Sequence, residues 1–261
     1  MQVTSYTPGD FCWPELATTD QEAAKRFYTS LFGWTATDSD MGDGAAYTML
    51  YKDGKDAAAL YALREERSAA GLTPFWMSYV SVKNADDAAR RVQELGGTVS
   101  MPPTDVGEHG RMAAVSDPTG ASFGLWQPRK QIGARVMGEP GSFCWNELYT
   151  HDAARAKAFY APLFGWRPDD VKISTPPYDY TAYMLGEIRV AGMMQIPSDW
   201  GQVPSHWLVY FAVEDCDAAE KKARSLGAQS VFPPSEFPGI GRLAILKDPQ
   251  GAAFALFRAA R

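Results

Sequence analysis

Glu15 and Glu147 are the side chains whose setting most suggests chemistry. The chain writes FCWPEL at residues 11–16 and FCWNEL at 143–148, each placing one acid inside a segment otherwise suited to an apolar strand. Strand alternation puts Trp13, Glu15 and Ala17 on one face, and Cys12, Pro14 and Leu16 on the other. The same parity groups Trp145 with Glu147. A carboxylate held against tryptophan loses hydration, so its pKa rises unless an arginine compensates. That would suit a general acid or base. A second reading stands beside it: each glutamate pairs with an arginine and simply closes the sheet.

The elements that position these acids are themselves repeated. AAKRFYTSLFGW at 23–34 returns as RAKAFYAPLFGW at 155–166, and GRMAAVSDPTGASFGLW at 110–126 returns as GRLAILKDPQGAAFALF at 241–257. The chain is a tandem duplication, with a period far too long for a solenoid, so each half is a domain. The boundaries are 1–130 and 139–261, joined through the Gly/Pro-containing PRKQIGARVMGEPGS. Each half repeats again, more weakly, as a strand, a polar cap and an amphipathic helix. In the first helix Asp20 is the cap, Ala24, Phe27, Tyr28 and Leu31 follow helical spacing, and Gly33 sits at the left-handed stop. Its copy runs from Asp152 to Gly165, where Pro162 predicts a kink or a short 3₁₀ ending. Asp117-Pro118-Thr119-Gly120 and Asp248-Pro249-Gln250-Gly251 read as turns between strands. One strand, one helix and three strands, used four times, define an α+β fold of four βαβββ modules in two concave mixed sheets.

Bulk properties narrow the partners. The 261 residues carry a net charge of −6 and are 46% hydrophobic. Without a basic face, nucleic acid is not expected, and without a polybasic run or a long apolar stretch, neither is a membrane. Three cysteines with no C-x-x-C spacing, and no secretion signal, read as reduced thiols in a cytoplasmic protein.

The strand–Asp–helix opening that ends in FYTSLFGW, the Gly-Gly before a strand and the closing R-x-x-x-x-x-D-P-x-G resemble the vicinal oxygen chelate superfamily. That group contains glyoxalase I, bleomycin-resistance proteins, fosfomycin-resistance enzymes and extradiol dioxygenases, and the resemblance looks closest to its two-domain actinomycete type. It implies paired modules enclosing a cleft, with a divalent metal held by the first strand of each module and by a glutamate on a last strand. Those positions fall on Trp13, Met77 and Gly124 in one half and on Trp145, Leu208 and Ala255 in the other. None suits a hard divalent cation, so no metal or other cofactor is expected. His206 with Glu147 and His151 would make only a poor substitute site.

The same resemblance implies what faces the clefts. Trp13, Glu15, Tyr79 and Trp126 would line the first, Trp145, Glu147, His206 and Tyr210 the second, with Arg111 and Arg242 at the edges. Glu15 and Glu147 are the catalytic candidates and the others the ligand-binding set. His109, in a GEHGR loop, is read as solvent-exposed. Aromatic walls around a few polar groups fit a flat small-molecule ligand, although the tryptophans could equally plug disused clefts. Three functions stay open: metal-free acid–base chemistry of lyase, isomerase or cyclase type on an aromatic or carbonyl compound, sequestration of an aromatic natural product, and a metal-dependent glyoxalase or dioxygenase with other ligands. One chain supplies four modules, so a monomer could complete both clefts, and a homodimer is equally compatible.

Overall fold

The computed structural model describes residues 2–42, 45–63, 71–174 and 177–260. Four modules follow one another. The first is β1 (Phe11–Thr18), α1 (Gln21–Phe32), β2 (Thr35–Asp40), β3 (Ala46–Lys52) and β4 (Lys55–Ala62). The second is β5 (Phe75–Ser81), α2 (Ala85–Glu94), β6 (Thr98–Val106), β7 (Gly110–Ser116) and β8 (Ser122–Pro128). The third is β9 (Phe143–Thr150), α3 (Ala153–Phe164), β10 (Arg167–Ser174), β11 (Pro177–Leu185) and β12 (Ile188–Gln195). A 3₁₀ turn at Ser198–Trp200 leads to β13 (His206–Ala212), α4 (Cys216–Ser225), β14 (Gln229–Phe237), β15 (Gly241–Lys247) and β16 (Ala253–Ala259).

Each half folds one eight-stranded sheet, in the order β2-β3-β4-β1-β5-β8-β7-β6 and its counterpart β10-β11-β12-β9-β13-β16-β15-β14. The opening strands of paired modules run antiparallel at the centre, β1 against β5 and β9 against β13. Each opening strand is parallel to its own module's last strand on its other side. Pairing is therefore within a half, and the four module openings build the middle of the two sheets. The Pro-Pro pairs 102–103 and 233–234 fall on the outer strands β6 and β14, where a missing N–H costs no ladder bond.

The helices, by contrast, knit the halves together. Asp20 caps α1 by accepting from the Ala23 amide at 2.9 Å, and Gly33 ends it at φ 72°. The buried stripe Ala24, Phe27, Tyr28 and Leu31 turns toward the other half. Tyr28 lies 5.7 Å from Phe254, and Phe32 5.0 Å from Phe211. In the reciprocal contact Tyr160 lies 5.6 Å from Phe123. Polar tips cross too: Tyr28 donates to Asp248 (3.0 Å) and Tyr160 to Asp117 (3.0 Å), while Trp76 and Trp207 donate their indole N–H to those same phenols. Trp34 donates to the Gly141 carbonyl and Trp166 to that of Gly9. The FYxxLFGW segment is thus the seam of the molecule. The D-P-x-G aspartates close their turns through the Ala121 and Ala252 amides and anchor that seam as well.

One expectation changes. Pro162 gives α3 no 3₁₀ ending: the α-helix continues to Phe164 before Gly165 reverses it at φ 72°. One intrahelical bond is forgone, and burial of Phe159 and Tyr160 in the seam holds the turn. Strand β2, TATDSD, had no apolar alternation to mark it; it forms because its backbone pairs with β3 at the sheet's edge. Among the described residues no helix is long and apolar enough to cross a membrane.

Candidate functional site

With the helices occupying the seam, the opposite face of each sheet is its concave side, and strand parity decides what stands there. Trp13 lies in register with Tyr79, and Glu15 with Met77; in the second half Trp145 pairs with Tyr210 and Glu147 with Leu208. Both glutamates are buried, at 8% exposure each. Among the described residues neither is paired with an arginine. Glu15 accepts from Tyr47 at 2.6 Å and from Tyr79 at 2.8 Å. Glu147 accepts from Tyr180 at 3.0 Å and from Tyr210 at 3.1 Å, and Tyr210 meets the Tyr149 hydroxyl at 3.2 Å. Burial raises both carboxyl pKa values above the ordinary glutamate range, opposed by the donated phenol hydrogen bonds. The tyrosines are driven well above their usual value by burial and by the neighbouring carboxylate, so they remain protonated donors.

Arg111 and Arg242 are not at the cleft edge. Arg111 shares its strand face with fully buried Ala113 and Val115, the helix side, and clasps Asp86 of α2 through two bonds of 2.8 and 2.9 Å. Arg242 holds Asp217 of α4 in the same way, at 2.6 and 2.7 Å. Both brace the acidic first turn of a helix, so neither is an ion-pair partner for Glu15 or Glu147. His206 stacks on Tyr149 at 5.2 Å, and its Nδ1 meets the Pro204 carbonyl. Burial lowers its pKa. His151 turns its Nε2 to the Val203 carbonyl, and His109 is exposed.

The second half holds a cavity of about 350 Å³. Glu147 and Tyr210 are among its lining residues, Trp145, Trp200 and Phe257 supply aromatic wall, and Tyr180 and Arg189 add polar groups. Cys144 also lines it, but burial pushes its thiol up to about 12, which leaves it protonated and a poor nucleophile. In the first half the inter-domain segment lies against the matching residues: Trp126 is buried and donates to the Gln131 carbonyl, and the Ala134 amide donates to the Cys12 carbonyl.

Two glycine positions further separate the halves. At Gly124 a Cβ would lie 2.1 Å from the Tyr79 ring, so Tyr79 rests flat on β8. Its counterpart is Ala255, whose methyl bars that pose and leaves Tyr210 beside Tyr149. At Gly192 a Cβ would lie 1.9 Å from the Tyr180 hydroxyl and 3.1 Å from Glu147 Oε2. Gly192 therefore leaves room for the Tyr180 hydroxyl where it lies, whereas Ala59 holds the matching place beside Glu15 in the first half. Gly192→Ala is expected to expel the Tyr180 hydroxyl and cost about 1–3 kcal/mol of stability by overpacking. Urea denaturation would measure the loss, and an unchanged midpoint would refute it.

The positions implied for a metal do converge, since Tyr79 is in register with Gly124 and Tyr210 with Ala255. Their side chains do not fit one: an indole, a thioether or isobutyl group, and a hydrogen or methyl offer no oxygen or imidazole ligand. Among the described residues no three His, Cys, Asp or Glu side chains form a metal-holding group. Tyr47, Tyr149, Tyr180 and Arg189 were not anticipated. The signal for Tyr47 and Tyr180 was present, because each lies in a short alternating strand at nearly the repeat spacing.

The family model for the Glyoxalase/Bleomycin resistance protein/Dioxygenase superfamily matches residues 11–125 and again 131–256. The chain is 41% identical over 258 residues to CFP32 of Mycobacterium tuberculosis, which carries a glyoxylase label, covering 98% of this chain and 97% of that one. It is 38% identical over 269 residues to the anthracycline biosynthesis protein DnrV of Streptomyces peucetius, covering 97% and 94%. Among solved structures, the 2,3-dioxygenase LapB from Pseudomonas sp. KL28 superposes with a TM-score of 0.66 at 13% identity, covering 98% of this chain and 94% of that one. The Mn(II)-bound glyoxalase from Novosphingobium aromaticivorans gives 0.65 at 12%, covering 96% and 82%. The chain belongs to the Glyoxalase/Bleomycin resistance protein/Dioxygenase superfamily, as a tandem two-domain member.

Proposed function

We propose that the cavity of the second half binds a small planar aromatic compound bearing a carbonyl, and that Glu147 moves a proton on it without a metal. The observation that carries this reading is a buried carboxylate, held by two phenols, in an aromatic cavity of about 350 Å³. The name of DnrV adds support, since anthracyclines are fused-ring aromatic compounds with quinone carbonyls.

Both Glu147 oxygens accept hydrogen bonds, which is the arrangement of an ionised base. A substrate C–H next to a carbonyl would lose its proton to Glu147, and the electron pair would pass to the carbonyl oxygen. Once protonated, Glu147 no longer needs two donors. The Tyr180 hydroxyl, on the half-exposed side, would then turn to the developing oxyanion. Returning the proton to another atom completes an isomerisation or ring closure with no redox partner. Glu15, Trp13, Tyr79 and Trp126 would serve mainly to hold the first half together.

Calorimetric titration with anthrone and 1-tetralone, aromatic ketones that carry an acidic C–H, read beside deuterium uptake at that carbon in heavy water, tests the proposal. Saturable binding with a chemical change in the bound compound supports it. Saturable binding without change points to sequestration instead, and loss of neither heat nor affinity in Trp145→Ala would place the ligand elsewhere.

A further inference from the structure

Strand β12 does not pair evenly with β11. Ala182 faces Gly192 and Tyr183 faces Ala191, but Met184 faces Arg189, so Val190 is a bulged residue. A one-residue bulge flips the parity of the strand beyond it. Met184 shares the cavity face with Tyr180 and Ala182, so the bulge brings Arg189 onto that face as well. A regular strand would have placed Val190 there. Arg189 is exposed at the mouth, and with Glu147 it is one of the two charged groups among the described lining residues. No ion pair or hydrogen bond of its guanidinium is found among the described residues. Its field reaches Tyr180, the phenol bonded to Glu147.

The first half bears the same bulge with the opposite charge. Leu50 faces Ala58 and Tyr51 faces Asp56, leaving Ala57 bulged and turning Asp56 to the concave face. Asp56 is already engaged: its carboxylate lies 3.6 Å from the Arg135 guanidinium, and its carbonyl accepts from the Arg135 amide at 2.7 Å. The duplicated position is therefore an occupied anion in one half and, in the other, a cation without a protein partner among the described residues.

We infer that the ligand of the second half carries an anionic substituent, a carboxylate or an ionised acidic phenol, at the end remote from Glu147, and that Arg189 selects it. This rests on the aromatic-cavity reading above and narrows its ligand to acidic planar aromatics. A guanidinium can grip a carboxylate with two parallel bonds, and its exposure keeps the gain moderate. The first half, with Asp56 in that place, would repel the same group.

The test is isothermal titration at neutral pH with two probes of nearly equal shape and different charge, anthraquinone-2-carboxylate and anthraquinone-2-carboxamide, on the full chain and on Arg189→Gln. The carboxylate is expected to bind the unaltered protein about tenfold more tightly than the amide. That preference is expected to weaken with added salt and to fall to about onefold in R189Q. Equal binding of the two probes by the unaltered protein would overturn the inference while leaving the aromatic reading intact. So would a preference that R189Q leaves unchanged. Binding of neither probe would overturn both.

Discussion

Glu147→Gln is expected to lower turnover of an aromatic carbonyl substrate by about 10²–10⁴-fold, the range lost with a positioned acid–base group. Saturable binding should survive, because the amide keeps the volume and one acceptor for the tyrosine donors. The pH dependence separates this from a packing effect. Burial lifts the Glu147 pKa above its unfolded value, so activity that needs the ionised base should rise with pH through that raised pKa. The limb disappears in E147Q. Stability moves the other way. Between the unfolded and folded pKa values the native state holds a proton that the unfolded chain has released, so stability falls as pH rises, and the full cost stands above the folded pKa. E147Q lacks that decline, and its melting temperature should exceed that of the unaltered protein at neutral and alkaline pH and converge toward it in acid. A stabilised, inactive variant is the signature of a functional group held at a cost to the fold. A destabilised variant with an unchanged pH–rate profile would make Glu147 a structural residue.

Tyr160→Ala should be the most damaging single change outside the cavity. The ring is fully buried and packs on Phe123 across the seam, on Trp166 at 5.6 Å and on Trp207 at 5.4 Å. Removing a large buried aromatic costs about 3–5 kcal/mol. The Trp207 indole and the Asp117 carboxylate would also lose their shared partner. Tyr160→Phe keeps the ring and should cost about 1–3 kcal/mol, the penalty for leaving buried polar groups unmatched. Because the seam is one core shared by the two halves, urea unfolding of Y160A should shift as a single transition. A second half that melts alone, with the first untouched, would contradict the shared core.

The fold was legible because duplication made each element appear twice, and because Asp20, Gly33 and the Phe27–Tyr28–Leu31 stripe are local signals. Glu15 and Glu147 could be placed for the same reason: strand parity from Trp13 and Trp145 sets their face. Arg111 could not. It opens a strand, and its face is fixed only by Ala113 and Val115 packing under α2 and by the Asp86 carboxylate that receives it. Arg189 was hidden for a related reason, since the bulge that turns it inward is a property of the β11–β12 pairing. The phenols around Glu147 lie on strands remote in sequence, and nothing local says that Tyr180 and Tyr210 meet on one carboxylate. Nor does local sequence show that the segment after residue 128 lies against Trp126 while Phe257 is left to line a cavity.

The most direct test of the Glu147 site is a crystal structure of the full chain soaked with anthraquinone-2-carboxylate. One bound molecule is expected in the second half, its rings beside Trp145 and Phe257, a ring carbonyl within hydrogen-bond reach of the Tyr180 hydroxyl, and its carboxylate at Arg189. Density for the probe in the first half's cleft, or a cation seated beside Trp145 and Leu208, would contradict it.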